Sequence, residues 1–368
     1  MRVQFNAVLK DVTRKGTKIQ TDEYLTEGKF PIIDQGNNDI AGYRDDETGL
    51  FTDVPAILFG DHTRIVKYIT EPFFLGADGV KVLVPIDRTM NCKYLYYQLL
   101  SAKIPDTGYN RHFKWVKELE FQLPSRNEQD DVVKRLDKLC VVISARQQQL
   151  AKLDELVKAR FVEMFGDMLL NPMAWPEVAL ETLADIVSGI TKGRKVKKQT
   201  LLEVPYMAVS NVKDGYIDWT TVKTILATEQ EIEQYRLFPD DVLMTEGGDP
   251  DKVGRGAIIK EPLENCIHQN HIFRVRLDKE KILPAFFAEY LQHQKSKRYF
   301  LGCAKQTTGI ASINMRQLKA LPVLLPPLDL QGQFDEFVRQ IERVACSIQN
   351  CLGQMETLKK SLMQQYFG

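Results

Sequence analysis

The feature that most constrains this chain is an internal repeat held at a constant offset. Residues 119 to 129 read LEFQLPSRNEQ, and residues 321 to 331 read LPVLLPPLDLQ. Each stretch runs into a long periodic segment ending in Phe-Gly, at Phe165-Gly166 and at Phe367-Gly368. At an offset of 202 residues, Leu119, Leu123, Pro124, Gln129, Leu150, Leu156, Lys158, Phe165 and Gly166 all meet their own residue type in the second copy. A register kept without a gap over nearly fifty residues marks a duplication.

The periodic segments are helical. In the first copy Val132, Leu136, Leu139, Ile143, Leu150, Leu153, Val157 and Met164 follow alternating steps of four and three, broken at Arg146. In the second, Phe334, Val338, Ile341, Ala345, Ile348, Leu352, Met355, Leu362 and Tyr366 do the same, with Lys359 as the break. Each pattern predicts a long amphipathic helix with a coiled-coil seam. About 37 residues at 1.5 Å each give roughly 55 Å, longer than a small domain is wide. Two such helices bury their stripes most economically against each other, as an antiparallel pair. The alternative is that each helix packs only on its own domain.

The segments before the helices repeat more weakly. A basic turn closes VLKDVTRKGTK (8 to 18) and LADIVSGITKGRKVKK (183 to 198). Strand-like runs follow in the same order: FPIIDQGNN beside VPYMAVSNV, VPAILFGDHTR beside DDVLMTEGGDPDKVGR, and GVKVLVPID beside HIFRVRLD. Helical stretches YLYYQLLSAK and AFFAEYLQHQK then lead to TGYNRHFKW and TGIASINMR. The expected fold class is α+β: two mixed α/β domains separated by two long helices that form an antiparallel coiled coil, with pseudo-two-fold character. The expected boundaries are 1–126 and 168–328 for the domains, and 127–167 and 329–368 for the helical regions.

Composition narrows the function. With 44% hydrophobic and 27% charged residues the chain is globular. It has no apolar run near the roughly 18 residues of a membrane span, and MRVQFNAVLKDV lacks a signal peptide's apolar core, so a cytoplasmic location is expected. Cys92, Cys140, Cys266, Cys303, Cys346 and Cys351 form no CxxC pair and read as reduced core thiols. Gly189-Ile-Thr-Lys-Gly193-Arg194 has the wrong spacing for a phosphate loop, and Gly254-Arg-Gly256 lacks a third glycine. Asn171-Pro172-Met173-Ala174-Trp175 begins like an amino-methyltransferase loop without its second proline, and reads as a turn. His268 and His271 would point to opposite faces of a strand. Asp240, Asp241 and Glu246 lack the lysine that a nuclease carboxylate set requires, because Gly248 stands there. No catalytic or metal site is expected.

Two copies of a binding-type domain on a rigid spacer suit a pair of sites at fixed separation, and duplex DNA is the stiffest polymer that offers them. Forty-nine basic residues balance forty-nine acidic ones, so the DNA contacts should be local patches. The basic turns supply Arg14, Lys15 and Lys18 in one half, and Lys192, Arg194, Lys195, Lys197 and Lys198 in the other, for phosphates. Loop side chains able to read base edges are Gln35, Asn37, Asn38, Asp61, His62, Arg64, Asn110, Arg111 and His112 in the first half. In the second they are Asn211, Lys213, Glu246, Lys252, Arg255, Gln269, Asn270, Lys305 and Gln306. Arg135, Lys138, Arg339 and Arg343 on the helices are candidate partner contacts. An enzyme acting on DNA unaided, and an adaptor that never meets DNA, are the competing readings.

On LPSRNEQDDVVKRLDKL (123 to 139), LPPLDLQGQFDEFVRQIERV (325 to 344) and the endings KARFVEMFGD and TLKKSLMQQYFG, the chain resembles the DNA-specificity subunits of Type I restriction-modification enzymes. The resemblance implies two target-recognition domains, each reading one half of an interrupted, double-stranded DNA target. It further implies a coiled coil that sets their spacing and docks two methyltransferase subunits, joined by motor and endonuclease subunits. S-adenosylmethionine, ATP and Mg²⁺ would then belong to those partners, with no cofactor or metal in this chain. SRNEQ departs from the family's usual turn, for which PPLDLQ is the better match.

Overall fold

A computed structural model describes residues 2–76, 79–108, 110–194, 200–249, 253–307 and 310–368, with only the backbone described at 306, 307 and 310. It divides into two compact units: Met1–Gln148 with Gln349–Gly368, and Gln149–Ile348.

The first unit runs β1 (Arg2–Gln4), α1 (Phe5–Val8), β2 (Leu9–Asp11), β3 (Phe30–Ile33), β4 (Gly42–Arg44), β5 (Ala56–Gly60), β6 (Val66–Ile69), β7 (Phe74–Leu75) and β8 (Val80–Pro85). Then come α2 (Cys92–Ser101), α3 (Phe113–Val116), β9 (Glu120–Gln122) and the start of α4 (Arg126–Phe165). β2, β8, β5 and β6 form one antiparallel sheet in that order, β4-β3-β7 a second with β3 parallel to β7, and β1 pairs with β9. Central strand β5 is buried at every residue, which is why AILFG reads as a continuous apolar run.

The second unit begins with the end of α4. It continues with β10 (Glu177–Ala179), β11 (Ala184–Ser188), β12 (Leu202–Met207), β13 (Lys223–Ala227), α5 (Glu229–Tyr235), β14 (Val242–Thr245), β15 (Gly247–Gly248), β16 (Gly256–Ile258), β17 (Ile267–His268) and β18 (Ile272–Leu277). α6 (Pro284–Gln292), α7 (Gln294–Cys303), β19 (Lys305–Thr307), β20 (Ile310–Ser312), α8 (Met315–Lys319), β21 (Pro322–Leu324) and α9 (Leu328–Phe367) complete it. Sheets β11-β18-β14-β16 and β13-β12-β17, the latter with β12 parallel to β17, and the pair β10-β21 reproduce the first unit's pairings strand for strand. The weak sequence repeat is thus a full repeat of topology, to which the second unit adds β15-β20-β19.

Both long helices contribute to both units: the first holds the start of α4 and the end of α9, the second the end of α4 and the start of α9. Every predicted seam position is buried or half-buried, Arg146 and Lys359 included. In the second unit Phe334 packs on Phe161 and Phe165 at 5.5 Å, while Arg160 lies over Phe337. In the first, Arg135 donates to the Tyr366 hydroxyl at 3.2 Å and Phe367 meets Tyr94 edge-on at 5.3 Å. Phe161, outside the predicted seam, is only 2% exposed and touches Phe165, Phe286 and Phe334. It falls between the apolar steps at Val157 and Met164 because α4 turns its far end toward the α6 core as well as toward α9.

The repeated glutamine has a defined task. Buried Gln129 accepts from the Asn91 backbone N–H at the start of α2 and donates to the Pro124 carbonyl, both at 2.9 Å. Buried Gln331 accepts from the Leu283 N–H at the start of α6 and donates to the Pro326 carbonyl, again at 2.9 Å. One amide therefore ties the turn before each long helix to the N-terminus of the short helix beside it. Leucine would fill the volume but strand a buried N–H and a carbonyl, so Gln129→Leu and Gln331→Leu should each cost about 1–3 kcal/mol, read as a lowered urea midpoint.

Candidate nucleic-acid interface

The loops that carry the candidate readers are gathered by the same backbone knot in both units. In the first, the Asp61 N–H donates to the Gly79 carbonyl at 2.6 Å, and the Asp61 carbonyl accepts from the His112 N–H at 2.8 Å. In the second, the Glu246 N–H donates to the His271 carbonyl at 3.0 Å, and the Glu246 carbonyl accepts from the Ile313 N–H at 2.8 Å. Each knot joins the end of a central strand, the entry to its neighbour and the loop before the unit's closing helix. Gly79 serves the first at φ +92°, where a Cβ would strike the Gln35 amide.

Around the first knot, Gln35 accepts from the His62 N–H at 3.1 Å and its carbonyl accepts from the Thr63 hydroxyl at 2.7 Å. The structure thereby brings Gln35, His62, Arg64, Asn110 and Arg111 to neighbouring loops, with Asn37, Asn38, Asn110 and Arg111 exposed. Arg64, at φ +62°, pairs with Asp106 at 2.6 Å and reaches the Ile104 carbonyl. Around the second, Gln269 and Asn270 are half-buried, with the Asn270 carbonyl accepting from Ser188 Oγ at 2.6 Å. Exposed His271 pairs with Glu246 at 2.6 Å.

The basic turns occupy matching places, directly after edge strands β2 and β11. Arg14, Lys15, Lys18 and Lys192 are exposed, Lys15 lying 4.0 Å from Asp53. Arg194 differs: it forks onto Glu231 through two 2.5 Å bonds, and the guanidinium holds that carboxyl down to about 2. Lys213 is half-buried, Lys305 is exposed, and Arg255 is half-buried with no partner for its Nε among the described residues. Lys195, Lys197, Lys198 and Lys252, and the side chain of Gln306, lie outside the described residues.

Three expected readers are corrected. His112 is fully buried, its Nδ1 3.0 Å from the Asp61 carbonyl, and Asp61 turns inward to accept from the Phe113 N–H at 2.7 Å. Asn211, also fully buried, accepts from the Ala208 N–H and donates to the Asp218 carbonyl, both at 2.9 Å. Asn211 closes a local turn, whereas Asp61 and His112 tie together two loops distant in sequence, so the hydrogen-bonding capacity of all three is used inside the fold. Arg135, bonded to Tyr366, and Arg339, 2.7 Å from Asp335, likewise have internal partners. Sequence reasoning missed Tyr216 and Trp219, 61% and 36% exposed on a turn of the second unit. Two aromatics three residues apart in the turn-forming stretch DGYIDW were the available signal.

The sequence-derived catalytic sets disperse. Asp241 is buried in a bidentate pair with Arg276 at 2.8 Å, and Asp240 pairs with Lys279. His268 is fully buried between the Tyr235 and Val187 carbonyls, and burial pushes it down to about 4. β17 ends at His268, so the two histidines part through a break in the strand and not through alternation along one. Asn171 bonds Trp175 in both directions, which closes Asn171 to Trp175 into a turn. Among the described residues no cluster of His, Cys, Asp and Glu fits a metal ion, and no helix is long and apolar enough to cross a membrane. The core-thiol reading holds for Cys92 and Cys266, which burial pushes up to about 12, but Cys346 is exposed.

Comparison with known proteins agrees with this architecture. The family model described as Type I restriction modification DNA specificity domain matches residues 6–155 and 172–354. The EcoKI specificity subunit of Escherichia coli is 21% identical over 265 residues, covering 68% of this chain and 57% of its own length. The StySPI specificity subunit of Salmonella potsdam is 24% identical over 267 residues, with the same coverage of each chain. The chain thus spans a little over half of these curated relatives. The crystal structure of a Type-I restriction-modification system S subunit from M. genitalium superposes over 100% of this chain and 96% of that one, with a TM-score of 0.62 at 17% identity, a likeness of fold. With both repeats matched by one family model, the chain belongs to the Type I restriction-modification DNA-specificity family.

Proposed function

We propose that this chain is the non-catalytic DNA-reading subunit of a Type I restriction-modification complex. Each unit reads one half of a bipartite target in double-stranded DNA, and the paired helices act as a coiled coil that sets the spacing. The observation that carries this reading is a strand pairing repeated in full beneath loops that differ: one frame presents two unlike reading surfaces. The near symmetry of the helix pair suits two methyltransferase subunits, with motor and endonuclease subunits joining them. S-adenosylmethionine, ATP and Mg²⁺ belong to those partners, and the chain works in the cytoplasm. Balanced overall charge fits a phosphate grip shared with them.

The exposed cations Arg14, Lys15, Lys18 and Lys192 touch phosphates in this reading, while Asn37, Asn38 and Arg111 reach base edges. Replacing Lys15 or Lys18 by alanine should weaken binding of the assembled complex to all sequences alike, with the salt slope reduced by about 1 per lost contact. Fluorescence anisotropy across a salt series measures both. Arg111→Ala should instead relax one base position by about 1–3 kcal/mol. Equal loss on every sequence for all these variants would remove the distinction between grip and readout.

The spacing role has its own test. Deleting seven residues from each helix, at matched repeat positions, shortens both by about 10 Å and should shorten the unread middle of the target by about three base pairs. Sequencing methylated sites in cells carrying the shortened subunit reads the spacer directly, and an unchanged spacer counts against measurement by the helices.

A further inference from the structure

The two units share one frame at the Phe-Gly end of their long helices, yet only the second is covered there. Repeated contacts fix the correspondence. The Leu119 and Leu321 carbonyls accept from the Phe5 and Leu180 N–H groups. The Gln98 amide bonds the Gln122 backbone, as the Tyr290 hydroxyl accepts from the Leu324 N–H. Leu119, Met363, Phe367 and Gly368 therefore stand where Leu321, Phe161, Phe165 and Gly166 do, and Ser101 stands where His293 does. Leu321, Phe161 and Phe165 are buried, whereas Leu119, Met363 and Phe367 are only half-buried.

Residues 167–175 cover this place in the second unit. Asp167 lies 3.7 Å from His293, and Met168 is fully buried in the core that holds Phe161, Phe165 and Leu321. Trp175 packs against the same core and donates its Nε1 hydrogen to the Phe165 carbonyl at 2.9 Å. The Asn171 turn, closed onto Trp175, brings these two anchors to one core. In the first unit a groove of about 1100 Å³ opens here. Leu119, Phe121, Met363 and Phe367 supply its apolar lining, while Lys103, Lys359 and Lys360 outnumber Glu120 and Glu356 around it. Apolar side chains left half in water, where the duplicate buries its own, favour any group that covers them. The second unit shows the chemistry of a cover that fits.

We propose that the groove of the first unit binds a short peptide segment of another polypeptide, one that carries an acidic residue, a methionine and a tryptophan spaced as Asp167, Met168 and Trp175 are. The methionine enters beside Met363 and Phe367, and the indole N–H donates to the Phe367 carbonyl. The inference holds whichever DNA the chain reads. The probe is the peptide DMLLNPMAW, residues 167–175 of this chain, labelled with fluorescein and titrated with the full chain while anisotropy is followed. Saturable binding is expected, weakened at least tenfold when the peptide carries Met168→Ala or Trp175→Ala, since each removes a buried anchor. In the chain, Ser144→Trp places an indole in the groove from an exposed position on α4 and should also weaken binding at least tenfold. A thermal melt matching the parent's shows that this variant is folded. Because Ser144 belongs to the first unit, the variant leaves untouched any binding that arises by displacing residues 167–175 from the second. No saturable binding, equal binding of the substituted peptides, or undiminished binding by folded Ser144→Trp would each overturn the proposal.

Discussion

Everything in this molecule depends on the exchange of helix ends. Each unit's core is completed by the start of one long helix and the end of the other: Phe367 on Tyr94 in the first, Phe165 on Phe286 and Phe334 in the second. Phe165, Phe286 and Phe334 are among the largest fully buried side chains, each contributing about 1.5–3 kcal/mol by burial alone, while Phe367 is half-buried. Neither unit therefore closes its core with one contiguous stretch of chain. The duplication persists most clearly in the helical blocks because both copies of those blocks pack in both units.

Within that frame, fixed and variable parts divide by whether backbone or side chain does the work. The knot at Asp61 and at Glu246 uses only main-chain groups, so it survives a change of residue. Asp61 spends its carboxylate on the Phe113 N–H, whereas Glu246 reaches exposed His271. The frame holds the loops in register while their side chains take on different tasks. The proposed reading of two unlike half-sites requires that freedom.

The sequence made the helices legible down to individual seam positions, because a 202-residue register and a three-four periodicity are one-dimensional signals. It also gave the order of the strands, since AILFG and VLMT carry enough apolar residues to declare buried strands. The candidate site was legible only as a set of loops. Asn110, Arg111 and His112 are consecutive and chemically alike as readers, yet the first two are exposed and the third is fully buried. Arg194 stands among lysines in a basic turn, but Glu231, far along the chain, claims its guanidinium.

Sequence alone determined that two copies of one domain alternate with two long helices, because periodicity and repetition are local properties of residue order. Tertiary structure alone decided which polar side chains face outward and which close a turn. The direction a loop side chain takes is set by partners brought together from distant positions, and residue order carries no periodic trace of such meetings.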